Sequence, residues 1–261
     1  MKIEHLRSRR REEAMERGIN PRDVDLLLSD VTGQPLSWLI SHGSESADEH
    51  ALDALLERRY AGEPIQYIRG KTEFYSREFY VDDRVLIPRP ETELLVEAAI
   101  ERVPRGARVI DVGTGSGCIA VTLGLERPDL RVIGVDRALG ALAVARRNGL
   151  RNAIAGDILD AVREFDFVVS NPPYIPERDI ATLAREVRDF EPRGALTPGP
   201  RGTEAIERIL EGARGKPVML EIGYGQDAII RDVARAHRYE VDAILDDLAA
   251  IPRVVVLSAA W

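Results

Sequence analysis

The sequence predicts an α/β fold: a mostly parallel sheet covered by helices on both faces, preceded by a small helical domain. Three observations carry this expectation. From Ala107 onward, apolar strand-like runs alternate with helical periods, and repeated strand–helix units imply a parallel sheet. Residues 1–70 show helical spacing with poor strand signals. Between these regions, short aromatic and β-branched runs separated by turn residues read as a hairpin. The expected organisation is a helical domain over residues 1–70, a β-hairpin linker over 71–90 and the α/β domain over 91–261.

The elements follow in order. Arg7, Arg9, Arg10 and Arg11 precede Glu12, Glu13 and Glu16 at helical spacing, which predicts a solvated helix face with internal ion pairs. Residues 21–31 form an amphipathic pattern with Asn20 placed to cap it. Residues 36–40 are apolar around Trp38. Leu52, Leu55, Leu56 and Tyr60 share a helical face over 46–62, and Gly62 ends it. Strands are expected at 74–75, 79–81 and 85–87, with turns at Ser76-Arg77 and Asp82-Asp83. Pro88-Arg89-Pro90 closes this region, and a helix over 91–102 starts with Pro90 at its first turn. Strands at 108–111, 131–136, 152–155, 165–170, 216–222, 239–245 and 253–259 then alternate with helices at 119–126, 140–148, 203–213 and 226–237. The link between the last two strands is too short for a parallel crossover, so they should pair antiparallel.

Composition narrows the class. The chain has 261 residues, 44% hydrophobic and 31% charged, which is ordinary for a soluble globular protein. No apolar run approaches the roughly 20 residues that span a bilayer, and residues 1–17 lack the apolar core of a signal peptide. A cytoplasmic protein without membrane contact is expected. A net charge of −8 argues against broad, non-specific nucleic-acid binding. Cys118 is the sole cysteine, which excludes an internal disulfide, and His5, His42, His50 and His237 lack metal-ligand spacing. No metal is expected.

Two stretches carry chemistry. Asp111-Val112-Gly113-Thr114-Gly115-Ser116-Gly117 is a glycine-rich turn between a strand and a helix. Glycines there let the backbone turn sharply and approach a ligand, and the following helix offers N–H groups to an anion. Alone, the pattern also suits a dinucleotide site or a plain turn. Asp136 ends the next strand, where a carboxylate can accept both hydrogen bonds of a ribose diol. Asp157 follows the third strand and can accept from an adenine amino group. Each aspartate could instead cap a helix. Together, three acids at successive strand ends favour an adenosine bearing an amino acid, S-adenosylmethionine. The second stretch, Asn171-Pro172-Pro173-Tyr174, follows an apolar strand. Its prolines remove two backbone donors, so the Asn171 amide oxygen and the Pro172 carbonyl can converge on an NH₂ group. Tyr174 adds a ring on which a planar amide or base can stack. The plainer alternative is a proline-terminated strand with a packing tyrosine. Methyl transfer to such a nitrogen needs alignment and two acceptors, not a general base.

Further segments carry a family resemblance. They are Gly62-Glu63-Pro64-Ile65-Gln66-Tyr67-Ile68-Arg69-Gly70, Glu73-Phe74-Tyr75, Val85-Leu86-Ile87-Pro88-Arg89-Pro90-Glu91-Thr92-Glu93, Phe190-Glu191-Pro192 and Glu221-Ile222-Gly223. With the two stretches above, they resemble the HemK/PrmC family of peptide-chain-release-factor glutamine N5-methyltransferases. Amino-methyltransferases acting on nucleic acids share the Asn-Pro-Pro-Tyr but not, as a rule, Pro88 to Glu93. The resemblance implies a seven-stranded Rossmann-like class I methyltransferase domain with a small N-terminal helical domain and a β-hairpin linker. It implies methylation of the glutamine in the Gly-Gly-Gln motif of class I release factors, which act in translation termination and would be recognised by the N-terminal domain as well as the active site. Carried onto this chain, Asn171, Pro172 and Tyr174 are the catalytic candidates. Asp111, Gly113, Thr114, Gly115, Gly117, Asp136, Asp157 and Asn171 are the cofactor candidates. Asn171, Pro172, Pro173 and Tyr174 would meet substrate, with Arg89 and Glu91 beside them or paired to each other. The chain departs from the family pattern at Arg137-Ala138-Leu139-Gly140, where a Ser-Pro pair is usual, and at Thr197-Pro198-Gly199. The runner-up reading is an adenine-N6 or guanine-N2 methyltransferase acting on RNA or DNA. A non-catalytic scaffold is a third, and the intact Asp111, Gly113, Gly115, Asp136 and Asn171 argue against it.

Overall fold

The structure is a computed structural model that describes residues 1–260. It divides into two compact units. The first holds residues 1–70 together with 185–190. Its helices are α1 (Ile3–Glu16), α2 (Pro21–Thr32), α3 (Leu36–Ser41), α4 (Glu49–Tyr60) and α5 (Ile65–Arg69). Asn20 caps α2 by accepting from the Arg22 N–H at 2.9 Å, and Gly33 in the left-handed region ends it. Leu6, Leu27, Leu28, Leu39, Leu52 and Leu56 bury together as the core of this unit. The arginines of α1 depart from expectation. Within the helix, Arg10 and Arg17 pair with Glu13, but Arg7 and Arg11 reach Asp25 on α2, and Arg10 also reaches Asp53 on α4. That face packs against two neighbouring helices whose acids compete with those of α1 itself.

The second unit holds residues 71–184 and those from Glu191 on. It begins with a hairpin of β1 (Thr72–Phe74) and β2 (Arg77–Phe79). The turn falls at Tyr75-Ser76, one residue earlier than expected. Both residues have positive φ (52° and 57°), as a two-residue hairpin turn requires. The Tyr75 N–H donates to Glu93 Oε1 at 2.8 Å, a tertiary contact that helps hold a conformation unusual for a bulky residue. The expected strand at 85–87 does not form. Val85 and Ile87 are buried, but the Ile87 N–H points to Glu191 Oε2 at 3.4 Å rather than into a ladder.

The α/β part follows a 3₁₀ turn, Pro90–Thr92, and runs α6 (Glu93–Arg102), β3 (Arg108–Val112), α7 (Cys118–Glu126), β4 (Arg131–Asp136), α8 (Leu139–Arg147), β5 (Ala153–Ala155) and β6 (Phe167–Ser170). After β6 come a 3₁₀ helix, Glu177–Thr182, then α9 (Arg185–Phe190) and α10 (Arg193–Leu196). These short helices fill what reads as a long loop, because helices of four to six residues carry too little periodicity to see. α9 belongs to the first unit, where the buried Arg59 donates to both Asp23 and Glu186 at 2.7 and 2.6 Å. The chain ends with α11 (Glu204–Ala213), β7 (Val218–Glu221), α12 (Asp227–Ala236), β8 (Tyr239–Asp246) and β9 (Pro252–Ala259).

The seven strands lie in the order β5-β4-β3-β6-β7-β9-β8. β5 to β7 are parallel, and β9 pairs antiparallel with both β7 and β8. Two apolar clusters cover the sheet: one joins the hairpin's Phe74 and Phe79 to α6 and α7, the other joins α11 and α12. Among the described residues, no helix is long and apolar enough to cross a membrane.

A cavity at the switch point of the sheet

Strand order reverses between β3 and β6. The crevice beyond the carboxyl ends of two such strands is where open α/β sheets bind ligands. Here β3 runs into the glycine turn and β6 into Asn171. A cavity of about 400 Å³ opens at this point, within the size range of small-molecule sites. Of the residues singled out from sequence, Gly113, Gly115, Asp136, Asp157, Asn171, Pro172 and Pro173 line it, with Arg84, Arg137 and Arg208 around them.

The turn is built for close approach. Gly113, Gly115 and Gly117 all have left-handed φ (70°, 54° and 82°), which suits glycine. The N–H groups of Gly113 and Thr114 both donate to the Val135 carbonyl, at 2.8 and 3.0 Å, and tie the turn to β4. Gly134 on β4 makes room: a Cβ there would lie 2.5 Å from Leu150 Cδ2 and 2.7 Å from Thr114 Oγ1. Sequence reasoning missed Gly134, although a glycine inside a strand signals such an approach. Asp136 accepts from the Gly115 N–H at 3.0 Å and the Ala138 N–H at 2.9 Å. Each oxygen keeps a lone pair for a ligand hydroxyl.

Asp111, Thr114 and Gly117 were expected to touch the cofactor, but none of them lines the cavity. Asp111 is fully buried. Its Oδ2 accepts from Thr114 Oγ1 at 2.6 Å and from the Ala120 N–H at 3.2 Å, bracing the turn. Its Oδ1 has no protein partner. Burial pushes this carboxyl up to about 7, against the pull of the Thr114 and Ala120 hydrogen bonds. The same cause raises Glu221 to about 7. In the unfolded chain such groups titrate near about 4. Their stabilising contribution is therefore full below about pH 4 and lost as pH rises through about 7. Asp111→Asn removes one of them. Between about pH 5 and about pH 8 the melting temperature of the wild type should fall relative to this variant by roughly 5 °C. Parallel scanning-calorimetry curves would show the idea wrong.

The Asn171 end of the cavity is held by groups from three segments. Asn171 Nδ2 donates to Thr92 Oγ1 at 3.0 Å, and Thr92 Oγ1 donates to Glu221 Oε2 at 2.6 Å. Tyr174 Oη donates to Glu221 Oε1 at 3.3 Å. Tyr174, expected to offer a stacking ring, does not line the cavity. It packs where a Cβ on Gly223 would come within 2.9 Å of Cδ2, and its carbonyl accepts from Gln226 Nε2 at 3.0 Å. Burial and the nearby Glu221 push its phenol up. Arg89 and Glu91 do not pair with each other, nor do they line the cavity. Arg89 Nη2 instead donates to the buried Glu191 Oε1 at 2.5 Å, across 102 positions of sequence. Asp157 lines the cavity but also accepts from Arg208 Nη2 at 2.7 Å, so its carboxylate is shared. Sequence reasoning gave no role to Thr92 or Glu221; both polar side chains are nearly fully buried.

Comparison with known proteins places these features in context. Residues 8–70 match the PrmC N-terminal domain and residues 90–189 the methyltransferase small domain. The chain is 43% identical over 251 residues to the release factor glutamine methyltransferase of Neisseria gonorrhoeae, covering 90% of this chain and 92% of that one. It is 43% identical over 227 residues to the protein of the same name from Koribacter versatilis, covering 81% and 80%. Among solved structures, the Mtq2-Trm112 complex of E. cuniculi shares the fold, with a TM-score of 0.52 and 21% identity over 68% of this chain and 99% of that one.

Proposed function

This chain belongs to the release factor glutamine methyltransferase family, and on that premise we propose that its cavity holds S-adenosylmethionine and receives the glutamine side chain of a Gly-Gly-Gln motif. The observation that carries this reading is Asn171: its amide lines the cavity beside the glycine turn, with Nδ2 already committed to Thr92. That leaves Oδ1 as the end available to an incoming NH₂ group.

The residues present suit the cofactor. Asp136 keeps lone pairs for a ribose diol, and Gly113 and Gly115 let the backbone approach an amino-acid moiety. Asp157, shared with Arg208, would meet the adenine end. When bound, S-adenosylmethionine supplies a methyl group made electrophilic by its sulfonium.

The chain's own residues supply position and charge. An amide nitrogen is a poor nucleophile because its lone pair is delocalised. Asn171 Oδ1 and the Pro172 carbonyl accept its two N–H bonds, which orients the nitrogen and stabilises positive charge that appears only in the transition state. Pro172 and Pro173 present no N–H to compete. No general base is needed, because the methylated nitrogen is itself acidic enough to release its proton.

The test is methyl transfer from labelled cofactor to an unmethylated class I release factor, with bulk RNA in parallel and products mapped by mass spectrometry. One methyl on the Gly-Gly-Gln glutamine is the expected result. Label in RNA alone would overturn the reading.

A further inference from the structure

We propose that Thr92 and Glu221 are positioning residues that decide which end of the Asn171 amide faces the methyl acceptor. The proposal rests on the cavity being the site of a glutamine amide.

The two ends of an asparagine amide are nearly equal in size, but only the oxygen accepts a hydrogen bond. If Asn171 turned over, it would present an NH₂ to the substrate's NH₂, and the site would repel what it has to orient. Packing alone cannot set this choice, because the two orientations fill the same space. A directed chain of protons can. Glu221 receives a hydroxyl on each carboxylate oxygen, Thr92 on Oε2 at 2.6 Å and Tyr174 on Oε1 at 3.3 Å. A carboxylate can only accept, so Thr92 must point its single proton at it. Thr92 Oγ1 then has only lone pairs to offer Asn171, and it takes the Nδ2 donor at 3.0 Å. Turned over, Asn171 Oδ1 would meet those lone pairs. Thr92 would have to withdraw its proton from a buried carboxylate to relieve this, which is costly.

The three groups come from separate parts of the second unit. Thr92 ends the 3₁₀ turn before α6, Asn171 follows β6 and Glu221 ends β7. Thr92 and Glu221 are 2% and 1% exposed, so water does not substitute freely for either. The charged and titratable groups that bear on Glu221 or its partner Tyr174 are Arg253, Arg89, Glu91 and the Cys118 thiol. Burial brings Glu221 within reach of protonation near neutral pH. A protonated Glu221 would offer Thr92 a proton and remove the direction of the chain.

Steady-state kinetics on unmethylated release factor test this. Thr92→Val keeps the shape but loses the hydroxyl, and kcat should fall about 10²-fold while KM for cofactor holds. Thr92→Ser restores the hydroxyl and should recover most of the loss. Glu221→Gln should lower kcat in the wild-type background and have little further effect on Thr92→Val, because both act through Asn171. The wild-type kcat should rise with pH through about 7, as Glu221 ionises, and this limb should flatten in Glu221→Gln. Wild-type kcat in Thr92→Val, or equal losses from Glu221→Gln in both backgrounds, would overturn the proposal alone. A wild type that leaves the glutamine unmodified would overturn the underlying reading and this proposal with it. Melting temperatures separate any loss of fold, and Thr92→Ser and Glu221→Gln keep the test decisive should Thr92→Val unfold.

Discussion

Asn171→Ala should lower kcat for glutamine methylation about 10³-fold, the scale expected when a preorganised transition-state contact is removed. The substitution deletes the side-chain acceptor and leaves only the Pro172 carbonyl to hold the amide. It also frees Thr92 Oγ1, which no longer has Nδ2 to accept. Cofactor affinity should change far less, because the glycine turn and Asp136 remain. Asn171→Asp recovers the acceptor but cannot donate to Thr92, and it sets a second anion near Glu221. It should therefore rescue little. Titration with S-adenosylhomocysteine beside single-turnover methyl transfer separates the two effects. A variant retaining a tenth or more of the wild-type rate would exclude Asn171 as the acceptor, by the approximate scale above.

Asp136→Ala should weaken S-adenosylhomocysteine binding about 10²-fold, equivalent to roughly 2.7 kcal/mol. Two losses combine. The proposed ribose acceptor disappears, and the N–H groups of Gly115 and Ala138 lose the carboxylate that fixes them. The turn then has to be ordered at the moment of binding, which lowers affinity by itself. Asp136→Asn keeps one accepting oxygen and should fall between the two. Calorimetry reads the dissociation constants directly, and a wild-type value for Asp136→Ala would remove this residue from the cofactor site.

Much of this was legible in the chain. The seven strands could be read because buried parallel strands are short apolar runs bounded by turns, and the antiparallel end of the sheet followed from a short link. The cavity-lining residues were legible for a related reason. Gly113, Gly115, Asp136 and Asn171 all sit at strand ends, where a local motif fixes backbone direction, and the sheet brings strand ends together.

What failed was whatever depends on partners distant in sequence. Arg89 was open between the substrate side and its near neighbour Glu91, and it pairs instead with Glu191. Val85 and Ile87 have strand character, but they are buried without forming a strand, and the Ile87 N–H points to Glu191 Oε2. Tyr174 has the ring for stacking, yet it lies outside the cavity lining with its hydroxyl on Glu221 at the end of β7.

The sequence by itself determined the seven strands of the main sheet and the longer helices between them, the glycine turn and the donor-free Asn171-Pro172-Pro173 stretch, because these rest on local backbone constraints and hydrophobic period. Only the tertiary structure decided which polar groups are buried together. It brought Thr92 and Glu221, 129 positions apart, behind Asn171, and in a buried site the direction of each proton depends on partners that no local pattern specifies.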